Sequence, residues 1–419
     1  MPDFKESAGI PMNAFTQTHR TQMEAIAAQC RASLLNQVVP FWTERVVDPL
    51  HGGYRTCFDS NGTLYNSNKH GWFLGRTMYT FSVLCQEFGT RPEWLSIAKA
   101  GYDFMEASSV GDGRFALLLS PENAVLNGAE SIFTDHFVVK GLINYLYTLG
   151  NQASPQELEQ ARALLDKLLE HLTKPDVLLA ECPDTRFQKH AVNFMTLAVL
   201  IESTKLFGSA YHDKLLECVN RSLYQFASDA LHAPLEYITP SGNPLPVGPG
   251  RLIDAGHTME SLWFAMEAAP ILGHPEWNAR AAQVLNWVID SCWDEECGGF
   301  FQHVDYEHKK PEDAYLTTDY DGTPVAWDDK IWWVQAEGLI ALCMSAVNNQ
   351  NEAHWNLFVK LYQYVCQYFV SPENGEWYSF LHRNASILSD LPGSMHKGPY
   401  HVPRCLMMLV KVLDEALKA

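Results

Sequence analysis

Two histidines stand near the start of apolar stretches with helical spacing, and each has a charged residue three positions further on. His257 and Glu260 lie in RLIDAGHTMESLWFAMEAA, and His401 and Arg404 lie in HKGPYHVPRCLMMLVKVL. Residues three apart share one face of a helix. An imidazole, with an unperturbed pKa near 6.5, donates or accepts a proton at neutral pH. Two imidazoles facing one ligand therefore predict proton transfer, although each pair alone also fits a surface ion pair or a capping histidine.

Further polar groups stand near the starts of three other apolar stretches. Arg76 lies in KHGWFLGRTMYTFSVL, Asn193 in HAVNFMTLAVLIES, and Trp333 and Glu337 in AWDDKIWWVQAEGLIAL. An arginine among aromatic residues needs a carboxylate or a ligand rich in oxygen as its partner. Aromatic faces pack on apolar C–H surfaces, while charged and amide groups bind hydroxyls. Together these residues indicate a sugar pocket, and the alternative is a core tryptophan with an ion-paired carboxylate.

Helical periodicity predicts about a dozen helices that would position these groups. Their expected places are near residues 17–47, 71–88, 93–109, 129–149, 155–173, 190–207, 210–230, 253–271, 276–292, 331–347, 352–370 and 400–418. Every second helix recurs at intervals of roughly 60 to 80 residues and is the more apolar of its pair, as an inner helix should be. The sequence therefore predicts six helix pairs, with the polar residues at the mouth of the inner set.

The segments between the helices predict short hairpins at 48–65, 112–126, 294–307 and 371–388, each with a glycine or another turn former. The last helix is as apolar as the central ones, whereas an open solenoid would end in a polar cap. We therefore expect an all-α fold, an (α/α)6 barrel of six helix pairs with short β-hairpins on one rim. It would form a single domain over residues 1–419, with a flexible N-terminal segment at residues 1–16.

The composition excludes several classes of protein. The formal net charge of -19 disfavours nucleic acid as a partner. We find no signal peptide and no apolar run of bilayer length, so we expect no membrane association and a cytoplasmic location. The ten cysteines are scattered, which indicates free thiols. Cys292 and Cys297 lie close together but have no second pair to complete a zinc site, so no metal is expected.

Four motifs carry a family resemblance: KHGWFLGRTMYTFS, DAGHTMESLWF, WDDKIWWVQAEGLIAL and KGPYHVPRC. They resemble those of the N-acylglucosamine 2-epimerase superfamily, which also includes cellobiose 2-epimerases and mannose isomerases, and the resemblance extends over nearly the whole chain. It implies an (α/α)6 barrel, proton transfer by His257 and His401, and sugar contacts by Arg76, Glu260, Glu337 and Arg404.

The resemblance also implies a reaction. GHTMES and YHVPRCLMM are most similar to the N-acylglucosamine 2-epimerase branch, whereas the cellobiose and mannose branches usually have a histidine near Thr196. The implied reaction interconverts N-acetylglucosamine and N-acetylmannosamine by deprotonation and reprotonation at C2 of the open sugar. Arg76 would stabilise the carbonyl oxygen, and Glu260 would orient His257 or bind a hydroxyl. No cofactor is required for this chemistry.

The resemblance further implies a homodimer and ATP as an activator, although the chain has no GxxxxGK[ST] loop. Other functions remain open at this point. One is an aldose–ketose isomerase or a 2-epimerase acting on unsubstituted sugars such as mannose. Another is a glycoside hydrolase that uses Glu260 and Glu337 as its carboxylate pair. A third is a binding module without catalytic activity.

Overall fold

The computed structural model describes residues 13–312, 314, 316 and 319–418, and this part of the chain is mostly helical. Its fourteen α-helices are α1 (Ala14–Ser33), α2 (Val39–Thr43), α3 (Gly71–Phe88), α4 (Pro92–Ser108), α5 (Ile132–Leu149), α6 (Pro155–His171), α7 (Pro175–Glu181), α8 (His190–Phe207), α9 (His212–Asn220), α10 (Ala255–Leu272), α11 (Glu276–Cys292), α12 (Trp332–Asn349), α13 (Glu352–Tyr368) and α14 (His401–Lys418). The predicted all-α class is confirmed. Residues 1–12 of the expected flexible segment lie outside the described residues, and helix α1 already begins at Ala14.

Six helices contact one another in a cycle. Helix α3 packs on α5, α5 on α8, α8 on α10, α10 on α12, α12 on α14, and α14 on α3. Each has an outer partner, in the same order α4, α6, α9, α11, α13 and, for α14, α1. The six helices of the cycle and their six partners thus correspond to the six predicted helix pairs. The predicted helix at 210–230 is shorter, because α9 ends at Asn220 and continues as a π-helical turn, and α7 was not predicted.

The six helices of the cycle are buried on nearly all sides, whereas their partners are amphipathic. In α12 every residue from Trp332 to Ala346 is buried, while α6 buries only four side chains along one stripe. The helical stretch 190–225 is long and apolar enough to cross a membrane by length and composition, which the sequence analysis did not anticipate. Because 67% of its most apolar window is buried inside the protein, it has the character of a core helix.

The strands are short and antiparallel. They are β1 (Cys57–Phe58), β2 (Leu64–Asn66), β3 (Lys69–His70), β4 (Ser109–Gly111), β5 (Arg114–Phe115), β6 (Leu118–Leu119), β7 (Val125–Asn127), β8 (Gln188–Lys189), β9 (Ala227–Ser228), β10 (Ala233–Pro234), β11 (Tyr237–Ile238), β12 (Leu252–Asp254), β13 (His303–Asp305), β14 (Asp319–Tyr320), β15 (Thr323–Pro324), β16 (Lys330–Ile331), β17 (Phe380–Leu381) and β18 (Ile387–Ser389). Three of the predicted hairpins are observed, with antiparallel strands that pair across the turns at 58–64, 119–125 and 381–387. In the fourth, at 294–307, β13 pairs with β12 instead.

Four of these strands lead directly into helices of the cycle. Strands β3, β8, β12 and β16 end where α3, α8, α10 and α12 begin. They pair with β6, β11, β13 and β17, in that order. A strand pairing fixes the backbone immediately before the first helical turn. The side chains of that turn are therefore held by the hairpins as well as by helix packing.

Close packing between α3 and α5 depends on the absence of a side chain at Gly75. A Cβ atom built on Gly75 would lie 1.9 Å from the carbonyl oxygen of Phe137, which is backbone and cannot rotate away. The two helices can approach to this distance only because the residue is glycine. Arg76 follows directly in the sequence, so the same contact positions a predicted site residue.

We predict that Gly75→Ala lowers the free energy of unfolding by about 3 kcal/mol, because the methyl group forces α3 and α5 apart. The measurement is thermal and denaturant unfolding. Gly128→Ala is the matched control, since a Cβ atom at Gly128 meets nothing within 4 Å. Equal stability of the two variants would show that the helix contact tolerates a side chain.

Candidate active site

A cavity of about 390 Å³ lies where the helices of the cycle begin. Each of the six contributes side chains from its first two turns, among them Arg76, Phe137, Phe194, His257, Trp333 and His401. The volume falls in the range of sites for small molecules. Helix N-termini carry partial positive charge, so their convergence favours a ligand rich in oxygen or one that develops negative charge.

The structure brings together five of the residues predicted to form the site. Arg76, His257, Glu260, Trp333 and His401 all line the cavity. The ring centroid of Trp333 lies 5.4 Å from that of His257 and 5.7 Å from that of His401. The two imidazoles therefore contact the same indole ring and face one cavity.

His401 is held by a buried carboxylate. Its Nδ1 lies 2.8 Å from Oε1 of Glu337, a side chain with no exposed surface. A carboxylate beside Nδ1 favours the tautomer that has its proton there and leaves the lone pair on Nε2. Burial, assisted by the positive charges of Arg76 and Arg404, holds the pKa of His401 well below its usual value. His401 is thus neutral at neutral pH and can accept a proton.

Arg404 connects the carboxylates of Glu337 and Glu260. Its Nη2 lies 2.6 Å from Oε1 of Glu337 and 2.7 Å from Oε1 of Glu260, and its Nη1 donates to the Tyr400 hydroxyl at 2.8 Å. Trp263 donates from Nε1 to Oε2 of Glu337 at 2.9 Å. Glu337 and Arg404 are fully buried and are not part of the cavity lining. Glu337 thus contacts His401, and Arg404 contacts Glu260, behind the wall of the cavity. Sugar contacts by Glu337 and Arg404 stay a prediction.

His257 has a different electrostatic environment. Its Nδ1 lies 3.2 Å from Oε1 of Glu236 and 3.4 Å from Oδ2 of Asp254, and both carboxylates are buried. Asp254 also caps α10 by accepting the His257 backbone N–H at 2.9 Å, and its Oδ2 lies 2.9 Å from Nε2 of His303. Burial disfavours the charged imidazole, but the two carboxylates outweigh it and raise the pKa of His257 to about 9.

Of the two roles expected for Glu260, orienting His257 or binding a hydroxyl, the first does not fit its observed partner. Glu260 pairs with Arg404, whereas Glu236 and Asp254 lie beside the imidazole. Asp254 carries a sequence signal, because aspartate is a common N-cap in the position directly before the first residue of a helix. Glu236 stands next to β11 without a motif, and only the fold brings it to His257.

The two histidines therefore differ in charge at neutral pH. His257, with its raised pKa, is protonated, and His401, with its lowered pKa, is neutral. Titratable groups whose environments move their pKa values apart are the usual pattern of an acid and a base acting together. The cavity can thus supply a proton from one imidazole and remove one with the other.

Arg76 lies among aromatic rings at the same cavity. Its guanidinium carbon is 4.1 Å from the ring centroid of Phe137, 4.8 Å from that of Tyr400 and 5.1 Å from that of Trp72. Its Nε has no hydrogen-bond partner among the described residues. Burial lowers the pKa of Arg76 to about 10, so the group stays charged at neutral pH. A ligand oxygen in the cavity would supply the missing partner.

Asn193 does not line this cavity, which differs from its expected place in the sugar pocket. Its Nδ2 donates to the carbonyl oxygen of Cys218 and to Oγ of Ser222, both at 2.9 Å, and the side chain lines a different cavity. Phe194 and Met195 face the candidate site instead. This difference in place has a geometric cause, because successive residues of a helix point about 100° apart and the sequence does not show which of them faces inward.

Several other lining residues come from connecting segments, where periodicity gives no signal. They include Lys189, Gln302, His303, Tyr320 and His396. The described residues contain no group of three or more His, Cys, Asp or Glu side chains arranged to hold a metal ion. The ten cysteines are free thiols, and eight of them are buried.

Several known proteins are similar to this chain. The profile of the N-acylglucosamine 2-epimerase (GlcNAc 2-epimerase) family matches residues 52–405. An N-acylglucosamine 2-epimerase from Mus musculus is 28% identical over 397 residues, which cover 92% of this chain and 91% of the relative. One from Homo sapiens is 27% identical over 424 residues, covering 98% and 95%. The structure of cellobiose 2-epimerase from Bacillus thermoamylovorans superposes with a TM-score of 0.77 at 14% identity, covering 93% of this chain and 99% of the other, so the fold is shared.

We predict that Glu236→Gln lowers the pKa of His257 from about 9 toward its usual value, by at least about 1, because one of the two carboxylates that stabilise the imidazolium is lost. The measurement is an NMR titration of the histidine ring protons. Glu295→Gln is the control, because that side chain is 83% exposed. An unchanged titration of His257 in Glu236→Gln would assign the raised pKa to Asp254 alone.

Proposed function

Because the chain belongs to the N-acylglucosamine 2-epimerase family, we propose that this sugar 2-epimerase interconverts N-acetylglucosamine and N-acetylmannosamine. One observation carries the proposal: His257 and His401 face a single cavity with their pKa values moved in opposite directions. Epimerisation at C2 requires a proton to leave one face of the carbon and another to arrive on the opposite face. A neutral and a charged imidazole meet that requirement.

In the proposed reaction the open sugar lies between the two histidines. Nε2 of His401 removes the C2 proton, and the electron pair of that bond forms the C1–C2 double bond of an enolate. Arg76 stabilises the negative charge that grows on the C1 oxygen. The charged His257 then delivers its proton to C2 from the other face. His401 ends protonated and His257 neutral, and exchange with water restores the starting state.

The supporting residues have consistent roles in this scheme. Glu337 holds Nδ1 of His401, so that Nε2 is the basic nitrogen. Glu236 and Asp254 keep His257 charged until C2 requires a proton. Glu260 lines the cavity while paired with Arg404, which leaves it an acceptor for a sugar hydroxyl. The indole of Trp333 offers an apolar face between the two imidazoles.

The N-acyl substrate is supported by the relatives. The mouse and human proteins, at 28% and 27% identity over nearly the whole chain, are both named for N-acylglucosamine. We further propose that the cycle of helix contacts closes an (α/α)6 barrel in one domain. The homodimer and activation by ATP remain predictions based on the resemblance, and the cytoplasmic location remains a prediction based on the sequence.

The geometry does not favour a glycoside hydrolase. Such an enzyme places two carboxyl groups on either side of the scissile bond. Glu337 is outside the cavity lining, and Arg404 binds Oε1 of both Glu337 and Glu260. The two carboxylates are thus tied to one guanidinium instead of flanking a substrate.

We predict that His257→Asn and His401→Asn each reduce turnover by about 100-fold to 10,000-fold, the usual effect of losing a general acid or base. Asparagine is close in shape, so the melting temperature should stay near that of the wild type. The measurement is a rate assay beside a melting curve. His274→Asn is the control, because His274 is partly exposed, pairs with Glu276 and does not line the cavity. Wild-type turnover in either site variant would remove that histidine from the mechanism.

We predict that in D2O, without added metal, N-acetylglucosamine yields N-acetylmannosamine carrying deuterium at C2, because the second proton comes from a group in exchange with solvent. The measurement is mass spectrometry and NMR of the separated epimers, with free mannose tested in parallel. Product that retains the original hydrogen would contradict proton transfer by two histidines. If N-acetylated sugars stay unchanged and mannose yields fructose, the proposed substrate is wrong and the enzyme is an aldose–ketose isomerase.

A further inference from the structure

A second cavity, of about 510 Å³, lies outside the proposed catalytic cavity. It is lined by residues of α7, α8 and α9 and by strand β8. Strand β8 lies between the two cavities, and its Lys189 lines both of them. The proposed reaction assigns no role to any residue that lines the second cavity. The volume again falls in the range of sites for small molecules.

The charge of this cavity is opposite to that of the chain. Among the residues that the structure describes, its lining includes Lys189, Lys214 and Arg221 and no acidic residue, although the whole chain has a net charge of -19. Arg221 hydrogen-bonds the neutral amide of Gln188. Lys214 pairs with Glu217 on the surface of α9, where both side chains are over 40% exposed and water screens the pair. The cavity therefore keeps positive charge for an anionic ligand.

The rest of the lining is apolar. Leu178 and Leu179 from α7, Val192 from α8 and Phe187 form a hydrophobic wall, and Leu179 is 39% exposed. Apolar surface next to cationic groups fits a ligand with a hydrophobic body and one acidic end. A bare inorganic anion would leave this wall in contact with water.

Asn193 gives an independent indication of a ligand. The residue is 5% exposed and lines this cavity. Its Nδ2 has two partners, but its Oδ1 is buried and has no hydrogen-bond partner among the described residues. An unpaired buried acceptor is costly, and a donor group brought by a ligand would remove that cost.

We propose that the second cavity binds a small organic anion that has an apolar body. The carboxylate or phosphate end lies between Lys189, Lys214 and Arg221. The body packs on Leu178, Leu179 and Val192. A free carboxylic acid and a phosphate ester share this chemistry, so the test includes one of each.

The test is isothermal titration calorimetry of the full chain with three naphthalene compounds. These are 1-naphthyl phosphate, 1-naphthaleneacetate and the neutral 1-naphthaleneethanol. At least one of the two anions should bind at least about tenfold more tightly than the neutral compound. Binding of the phosphate alone or of the acetate alone identifies which acid the site prefers.

Variants then locate the site. Lys214→Gln combined with Arg221→Gln should weaken binding of the anion by at least about tenfold and leave binding of the neutral compound unchanged. The matched control is Lys99→Gln with Arg20→Gln, which removes the same charge from two exposed ion pairs elsewhere. Leu179→Trp, which fills the apolar side of the second cavity, should weaken binding of all three compounds.

Three outcomes would overturn the proposal. They are equal binding of the anions and the neutral compound, unchanged binding in the Lys214 and Arg221 double variant, and loss of anion binding in Arg76→Ala, which would place the ligand in the catalytic cavity. Calorimetry needs no turnover, so a negative result here leaves the proposed epimerase reaction untouched. An inactive enzyme would in turn leave the binding result valid.

Discussion

The buried contact between Arg404 and Glu337 is the interaction on which the rest of the site depends. It links α14 to α12 through charges that are both fully buried. Removing one partner would leave the other charge unpaired in the interior, at a cost of about 3 to 5 kcal/mol. The same contact sets the chemistry, because Oε1 of Glu337 also holds Nδ1 of His401 and Arg404 also binds Glu260. Stability and the geometry of the candidate site thus depend on one cluster of charges.

The electrostatic difference between the two histidines follows from where each helix begins. His257 lies in the first turn of α10, where the capping carboxylate of Asp254 and the neighbouring Glu236 stabilise the imidazolium. His401 opens α14 close to the guanidinium groups of Arg76 and Arg404, which disfavour a further positive charge. Two identical side chains at the starts of α10 and α14, the helices on either side of α12 in the cycle, therefore hold different protonation states. The proposed acid and base thus differ without any change of residue type.

The short strands explain how a helical fold holds such a site accurately. Strand β12 pairs with β13 immediately before α10, so Asp254 is fixed by the ladder and by its cap at once. Strand β8 does the same for α8, but there the polar side chain of the first turn faces outward, into the second cavity. A strand that pairs just before a helix thus positions side chains of the candidate site on α10 and the wall of a separate cavity on α8.

The sequence by itself determined the helical class, the order of the helix pairs and five of the residues around the cavity. These are Arg76, His257, Glu260, Trp333 and His401. Apolar periodicity and recurring polar helix starts are local signals, and they persist in the chain whatever the packing. Only the tertiary structure decided that Glu337 and Arg404 lie behind His401, that Asn193 faces outward, and that Glu236 reaches His257. These facts depend on the rotation of each helix and on contacts between residues far apart in the chain, and no local pattern encodes either of them.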